Sequence, residues 1–144
     1  MYPEIKQTIF REYDVRGVYP VDINGNIAYI FGRAFGTYIK RFNQSKCTVG
    51  RDNRYSSDEL ADNLIKGILS TGIDVINLGL VTTPMYYYAC ILNNTNAGVM
   101  VTASHNPKDD NGFKFAFDDR GNARGEMIRE FYEFLQQGNF DSGN

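Results

Sequence analysis

Between Ile27 and Phe42, apolar side chains recur on a 3.6-residue period, and that stripe constrains the fold more than any other feature of the chain. Ile27, Ile30, Phe31, Ala34, Phe35, Tyr38, Ile39 and Phe42 fall at i, i+3, i+4, i+7, i+8, i+11, i+12 and i+15. They form one face of an amphipathic helix, with Asp22 or Asn24 as the candidate cap. Such a face needs a surface to cover. CTVGRD (47–52), DVINLGL (74–80) and AGVMVT (97–102) supply short apolar runs of strand length. DVINLGL is expected to be buried, and AGVMVT to be covered on both faces. Helical segments separate these runs. Ser56 and Glu59 read as a capping box for one whose inner face is Leu60, Leu64, Ile65, Ile68 and Leu69 and which Gly72 stops. Thr83 with Pro84 opens another, reaching about Leu92. Phe113, Phe115 and Phe117 alternate with Lys114 and Ala116, the period of a half-buried strand. After the turn DDRGN (118–122), a last helix runs from about Gly125 to Gln137, with Met127, Ile128, Phe131, Phe134 and Leu135 inward. IFREYDVRGVYP (9–20) is expected as an edge strand or hairpin.

The order is strand, helix, strand, helix, strand, helix, strand, strand, helix. That alternation predicts an α/β domain with helices layered on a mainly parallel mixed sheet and right-handed crossovers. A length of 144 residues suits one domain with a real core. We place the domain at 1–138 and read the polar stretch 139–144 as an edge or linker. A net charge of −2 excludes a broad electrostatic pull toward nucleic acid or anionic membrane. No apolar run approaches the length of a membrane span, and MYPEIKQTIF lacks the apolar core of a signal peptide. A cytoplasmic protein is expected, with Cys47 and Cys90 as buried reduced thiols.

Three polar clusters follow strand ends: YDVRG (13–17), GRDNRYSS (50–57) and TASHNP (102–107). In open α/β sheets, ligands sit beyond the carboxyl ends of the strands, so the three should converge on one rim. In TASHNP, Pro107 stiffens the loop and Ser and Asn shape it, presenting Ser104. His105 is the only histidine. Neighbouring side chains usually point apart, so His105 is not automatically a base for Ser104. Lys108, Lys114, Arg16, Arg51 and Arg54 are cations suited to phosphate, and they make sense if Ser104 carries or meets one. A serine hydrolase is disfavoured, because Ser104 lacks the GxSxG context of a nucleophile elbow.

Together, FREYDVRG (10–17), GRDNRYSS (50–57) and TASHNP…NGFK (102–114) resemble the first domain of the α-D-phosphohexomutases, and YDVRG looks most like the phosphomannomutase/phosphoglucomutase group. The resemblance covers nearly the whole chain. It implies a three-layer α/β/α domain of phosphoglucomutase first-domain type. It also implies that Ser104 carries a phosphoryl group exchanged between hexose 1- and 6-phosphates through a hexose 1,6-bisphosphate. Arg16 and Lys114 would flank the moving group, His105 would lie near the reacting hydroxyl, and Tyr13 would line the cleft. Lys114 or His105 would transfer the proton, with Lys114 favoured. Mg²⁺ would meet the Ser104 phosphate, its other ligands coming from an Asp-rich loop. The chain departs from the four-domain pattern, having neither a DGDGDR-type metal loop nor a GEMSGH-type sugar loop. The expected partners are therefore sugar phosphates and the missing domains 2–4, and this chain alone is expected to be inactive. The alternative is a stand-alone, non-catalytic phosphosugar-binding or interaction module.

Overall fold

The computed structural model describes residues 3–143. Among the described residues, five strands and four α-helices follow in the order expected: β1 (Val15–Val18), α1 (Gly25–Ile39), β2 (Lys46–Arg51), α2 (Ser57–Leu69), β3 (Asp74–Leu80), α3 (Thr83–Leu92), β4 (Gly98–Val101), β5 (Asp110–Ala116) and α4 (Glu126–Gln137). They make one five-stranded sheet in the order β1-β5-β4-β2-β3. β2 pairs in parallel with β3 and β4, while β5 pairs antiparallel with β4 and β1. Four strands therefore share a direction and β5 alone is reversed, giving an α/β domain with a mixed sheet.

The winding places the helices. From β2 the chain moves outward to β3, then returns past β2 to β4. Right-handed crossovers put connections of opposite sense on opposite faces. α1, α2 and α4 accordingly pack on the face formed by Val49, Val99, Val101, Phe113 and Phe115. α3 covers the other face, where Tyr86 lies against Gly50 and Gly98. The alternating phenylalanines point inward as predicted. Phe115 stacks on Phe35 with ring centroids 5.6 Å apart and tilts against Phe131 at 5.0 Å, so α1, the sheet and α4 share one aromatic cluster. β4 is buried along its whole length.

Several local expectations differ. Asn24, not Asp22, caps α1, accepting from the Ile27 amide at 3.0 Å. Asp22 instead accepts from Lys6 and the Val18 amide. No capping box forms at α2: Ser56 is in the helical region, its hydroxyl taken by Asn111, and the Glu59 carboxylate accepts from the Tyr19 hydroxyl. Thr82, one residue before the expected cap, caps α3 through the Met85 amide. Leu69 is exposed, because α2 turns its Leu60, Leu64, Gly67 and Ile68 face to the interior. β3 is an edge strand and not a buried one; among the described residues no strand covers its outer side, and Leu80 is exposed. Residues 139–143 lie along α1 and α2, with the Asp141 amide donating to Thr37 Oγ1 and the Gly143 amide to the Ser70 carbonyl. No described helix is long and apolar enough to cross a membrane.

Cys47 is fully buried and Cys90 half-buried; both are free thiols. Burial pushes the Cys47 thiol up from near 9 to about 12. Burial also raises Tyr86 well above its ordinary value. Both groups are held neutral in the fold, so their contribution is complete below the unfolded-state values and is lost as pH rises toward the folded ones. Urea midpoints should thus fall between about pH 9 and about pH 12, and less steeply in Cys47→Ala. At pH 8 a thiol reagent should modify Cys90 in the native chain and reach Cys47 only after unfolding. A midpoint that stays flat in alkali, or rapid native labelling of Cys47, contradicts this account.

Candidate active site

β2 and β4 lie side by side, but the chain leaves β2 for one edge of the sheet and leaves β4 for the other. Their carboxyl ends diverge, which opens a crevice at the switch point. A depression of about 390 Å³ occupies it, lined by Asp52, Asn53, Arg54, Tyr55, Ser104, Asn106 and Lys108.

The loop after β4 is held by its own backbone. The Thr102 amide donates to the Gly112 carbonyl at 3.0 Å, the Asn106 amide to Ala103 at 3.0 Å, and the Asp110 amide to Pro107 at 2.9 Å. The Ser104 amide donates to Thr102 Oγ1 at 3.0 Å. Ser104 itself adopts φ +55°, in the left-handed region. For an L residue with a Cβ this costs about 1–2 kcal/mol, so the surroundings must enforce it. The Ser104 side chain is exposed, and its Oγ forms no hydrogen bond with a described residue.

Arg54 does much of the enforcing. Its Nη1 donates to the carbonyls of Pro107 (2.6 Å) and Asp110 (3.1 Å), its Nη2 to those of Ser104 and Asn106 (both 2.8 Å). Its Nε faces the Asp52 carboxylate at 3.5 Å, and the side chain is only 12% exposed. Asp52 is fixed in turn, accepting from the Arg54 amide and from Ser57 Oγ. Asn111, fully buried at the start of β5, donates to Ser56 Oγ (2.7 Å) and Ser57 Oγ (2.9 Å) and accepts from the Gly112 amide. The N-terminus of α2, the end of β2 and the start of β5 are thereby tied into one polar network. Among the described residues, no buried side-chain nitrogen or oxygen lacks a partner.

From the other side comes Arg16, on β1 opposite Gly112. Its Nε is paired with the buried Asp14 carboxylate at 3.0 Å, and its Nη1 donates to Asn106 Oδ1 at 2.5 Å. Asn106 passes the restraint on, donating to Asp110 Oδ2 at 3.1 Å. The three polar clusters do converge on one rim, with Arg16 and Arg54 both gripping the Ser104 loop.

The remaining residues divide. His105 and Lys108 are exposed on the loop, and Tyr13 is 65% exposed in the segment before β1. Lys114 lies opposite Met100, pointing to the sheet face away from Phe113 and Phe115. Among the described residues, the side chains of His105, Lys108 and Lys114 have no hydrogen-bonding or ion-pair partner. Arg51 turns away to Asp58, 3.6 Å distant. Arg54 is not a free cation either, since its donors are spent on loop carbonyls. Sequence reasoning missed Asp52, Ser57 and Asn111. All three lie within GRDNRYSS and NGFK, but nothing local shows that they bond to one another across the fold. The described residues bring no three His, Cys, Asp or Glu side chains together as a metal cage. Asp109 and Asp110 are already bonded to Tyr55 and Asn106. The described residues therefore do not by themselves assemble a Mg²⁺ shell.

Comparison with known proteins places this geometry. Residues 7–142 match the model for phosphoglucomutase/phosphomannomutase, alpha/beta/alpha domain I. A phosphomannomutase/phosphoglucomutase of Pseudomonas syringae pv. tomato is 43% identical over 142 residues, which cover 97% of this chain and 30% of the relative. A phosphoglucomutase of Neisseria gonorrhoeae is 38% identical over 136 residues, covering 94% and 29%. The crystal structure of a phosphoglucomutase/phosphomannomutase family protein from Burkholderia thailandensis superposes with a TM-score of 0.90 at 34% identity, over 98% of this chain and 32% of that one. The chain thus spans about 30% of the length of the curated relatives it matches. With the fold and nearly the whole chain in agreement, it belongs to the phosphoglucomutase/phosphomannomutase family, as the alpha/beta/alpha domain I.

Proposed function

We propose that this chain is the serine-bearing domain of a cytoplasmic hexose-phosphate mutase, in which Ser104 carries the phosphoryl group. The observation that carries this reading is the state of Ser104: exposed, forced to φ +55° at a strand end, and with its hydroxyl bonded to no described residue. Strain of this kind persists where surroundings over-determine it, typically at a working site.

In the proposed reaction, the Ser104 Oγ–phosphorus bond breaks as a bond forms from phosphorus to the free hydroxyl of a hexose 1- or 6-phosphate. The hydroxyl proton leaves to a base, and the serine oxygen ends as the hydroxyl. The resulting hexose 1,6-bisphosphate, turned end for end, returns its other phosphate to Ser104. Phosphoryl transfer asks chiefly for alignment and for positive charge at the equatorial oxygens. Arg16, oriented by Asp14, sits beside the loop to supply charge, and Lys114, whose side chain has no partner among the described residues, is assigned the proton. His105 is assigned to the substrate hydroxyl and Tyr13 to the cleft wall. The phosphate on Ser104 would help hold Mg²⁺, with the remaining ligands outside this chain, and the ion would supply positive charge for the phosphoryl oxygens.

The test is intact mass of the protein containing this chain, before and after phosphatase, with the phosphosite mapped. Loss of one phosphate from Ser104 is expected. A phosphate mapped to another residue, or none in freshly purified active protein, overturns the reading. The second reading, a non-catalytic interaction module, draws on α3, which carries no charged residue and exposes Met85, Tyr88, Ile91 and Leu92. Turnover that depends on Ser104 excludes it.

A further inference from the structure

We propose that Arg54 is a positioning residue for Ser104, a clamp that fixes the left-handed serine by drawing four loop carbonyls toward a single guanidinium. This inference rests on the phosphoserine reading of the site, but its structural half can be measured without it.

Two observations separate a clamp from a phosphate ligand. The first is donor count. A guanidinium has five N–H donors in a rigid plane. In Arg54 the four on Nη1 and Nη2 meet the carbonyls of Ser104, Asn106, Pro107 and Asp110, and the one on Nε faces Asp52. The four terminal donors are taken, and Nε faces a carboxylate that would repel an anion. The second is support. Asp52 is held by Ser57, and Ser57 by Asn111, on elements that flank the loop on both sides. The guanidinium is thus registered to the end of β2, the start of α2 and the start of β5 together.

The consequence is electrostatic. All four carbonyls that Arg54 gathers belong to the segment 104–110, and each of their oxygens is bonded to the guanidinium. A moving phosphoryl group then meets a loop whose four carbonyl dipoles are already offset by a fixed cation. Lysine cannot replace this. It offers three donors on a single mobile nitrogen, not a planar fork.

The experiment compares wild type with Arg54→Lys, which keeps the charge and removes the fork. Backbone amide exchange is followed at Ser104, Asn106 and Asp110, whose amides are bonded in the wild type. Mutase kinetics are followed in the protein containing this chain. Expected are an increase of about tenfold or more in exchange at those amides, with α1 and β4 unchanged. A fall in kcat of about 10- to 100-fold with KM held within about threefold should accompany it. Three results overturn the proposal: unchanged loop exchange; faster exchange with undiminished kcat; or a KM rise of about tenfold at constant kcat, which would make Arg54 a substrate ligand. If Arg54→Lys loosens the core amides as well, Asp52→Asn decides. It should speed loop exchange with the core intact, and an unchanged loop overturns the clamp. A wild type lacking phosphate on Ser104 would sink the phosphoserine reading separately, since the exchange result still judges the clamp.

Discussion

Ser104→Ala is expected to lower mutase turnover of the protein containing this chain on the order of 10³-fold or more and to abolish its bound phosphate. The size of the effect follows from the lack of a substitute. Thr102 has the adjacent loop hydroxyl, but it is buried and accepts from the Ser104 amide. Losing an exposed hydroxyl that bonds nothing should leave thermal stability nearly unchanged, so the activity loss cannot be ascribed to unfolding. Ser104→Thr sharpens the test. It retains a hydroxyl but adds a β-branch at φ +55°, a conformation that β-branched residues resist. The structure therefore predicts a damaged enzyme, where a purely chemical account of the serine predicts an active one. Undiminished turnover in Ser104→Ala would remove the basis of the proposed function.

A second large effect is expected far from the site, where α1 crosses α2. A Cβ at Gly67 would stand 2.2 Å from the Tyr29 carbonyl oxygen and 2.9 Å from the Arg33 nitrogen; one at Gly32 would stand 2.1 Å from the Leu64 carbonyl oxygen. These neighbours are backbone of the facing helix, so no side chain can swing aside. Gly67→Ala must push the helices apart and thin the packing of Leu64 and Ile68 against the core. Two terms compete. Alanine gains about 1 kcal/mol of helix propensity over glycine. Overpacking and the lost contacts cost about 3 kcal/mol or more. The second term wins, and the net loss is a large share of the roughly 5–15 kcal/mol that stabilises a domain. The urea midpoint of Gly67→Ala should fall substantially with an unchanged m-value. A midpoint equal to or above wild type would show that the crossing is looser than described.

Much of the fold was legible because burial patterns are local. The stripe from Ile27 to Phe42 and the alternation of Phe113, Phe115 and Phe117 each follow from the geometry of one element. The resemblance in TASHNP was legible because the loop's chemistry is contiguous. Arg54 was not legible. A guanidinium binds phosphate oxygens and carbonyl oxygens with the same fork, and which it meets depends on a loop fifty residues onward. Nor was the exposure of β3: an apolar run reads alike at the centre and at the edge of a sheet. The capping-box pattern at Ser56 and Glu59 was present, yet Asn111 and Tyr19 outcompeted the local bonds.

The amino-acid order by itself determined the alternation of strands and helices, the inward faces and the placement of Ser104 on a stiff strand-end loop, since each depends on side chains close together along the chain. Tertiary structure alone decided the strand order, the outer position of β3, and the assignment of Arg54 to the loop carbonyls and not to a ligand. Those outcomes depend on which distant segments become neighbours, and hydrogen-bond donors take the acceptors that folding brings within reach.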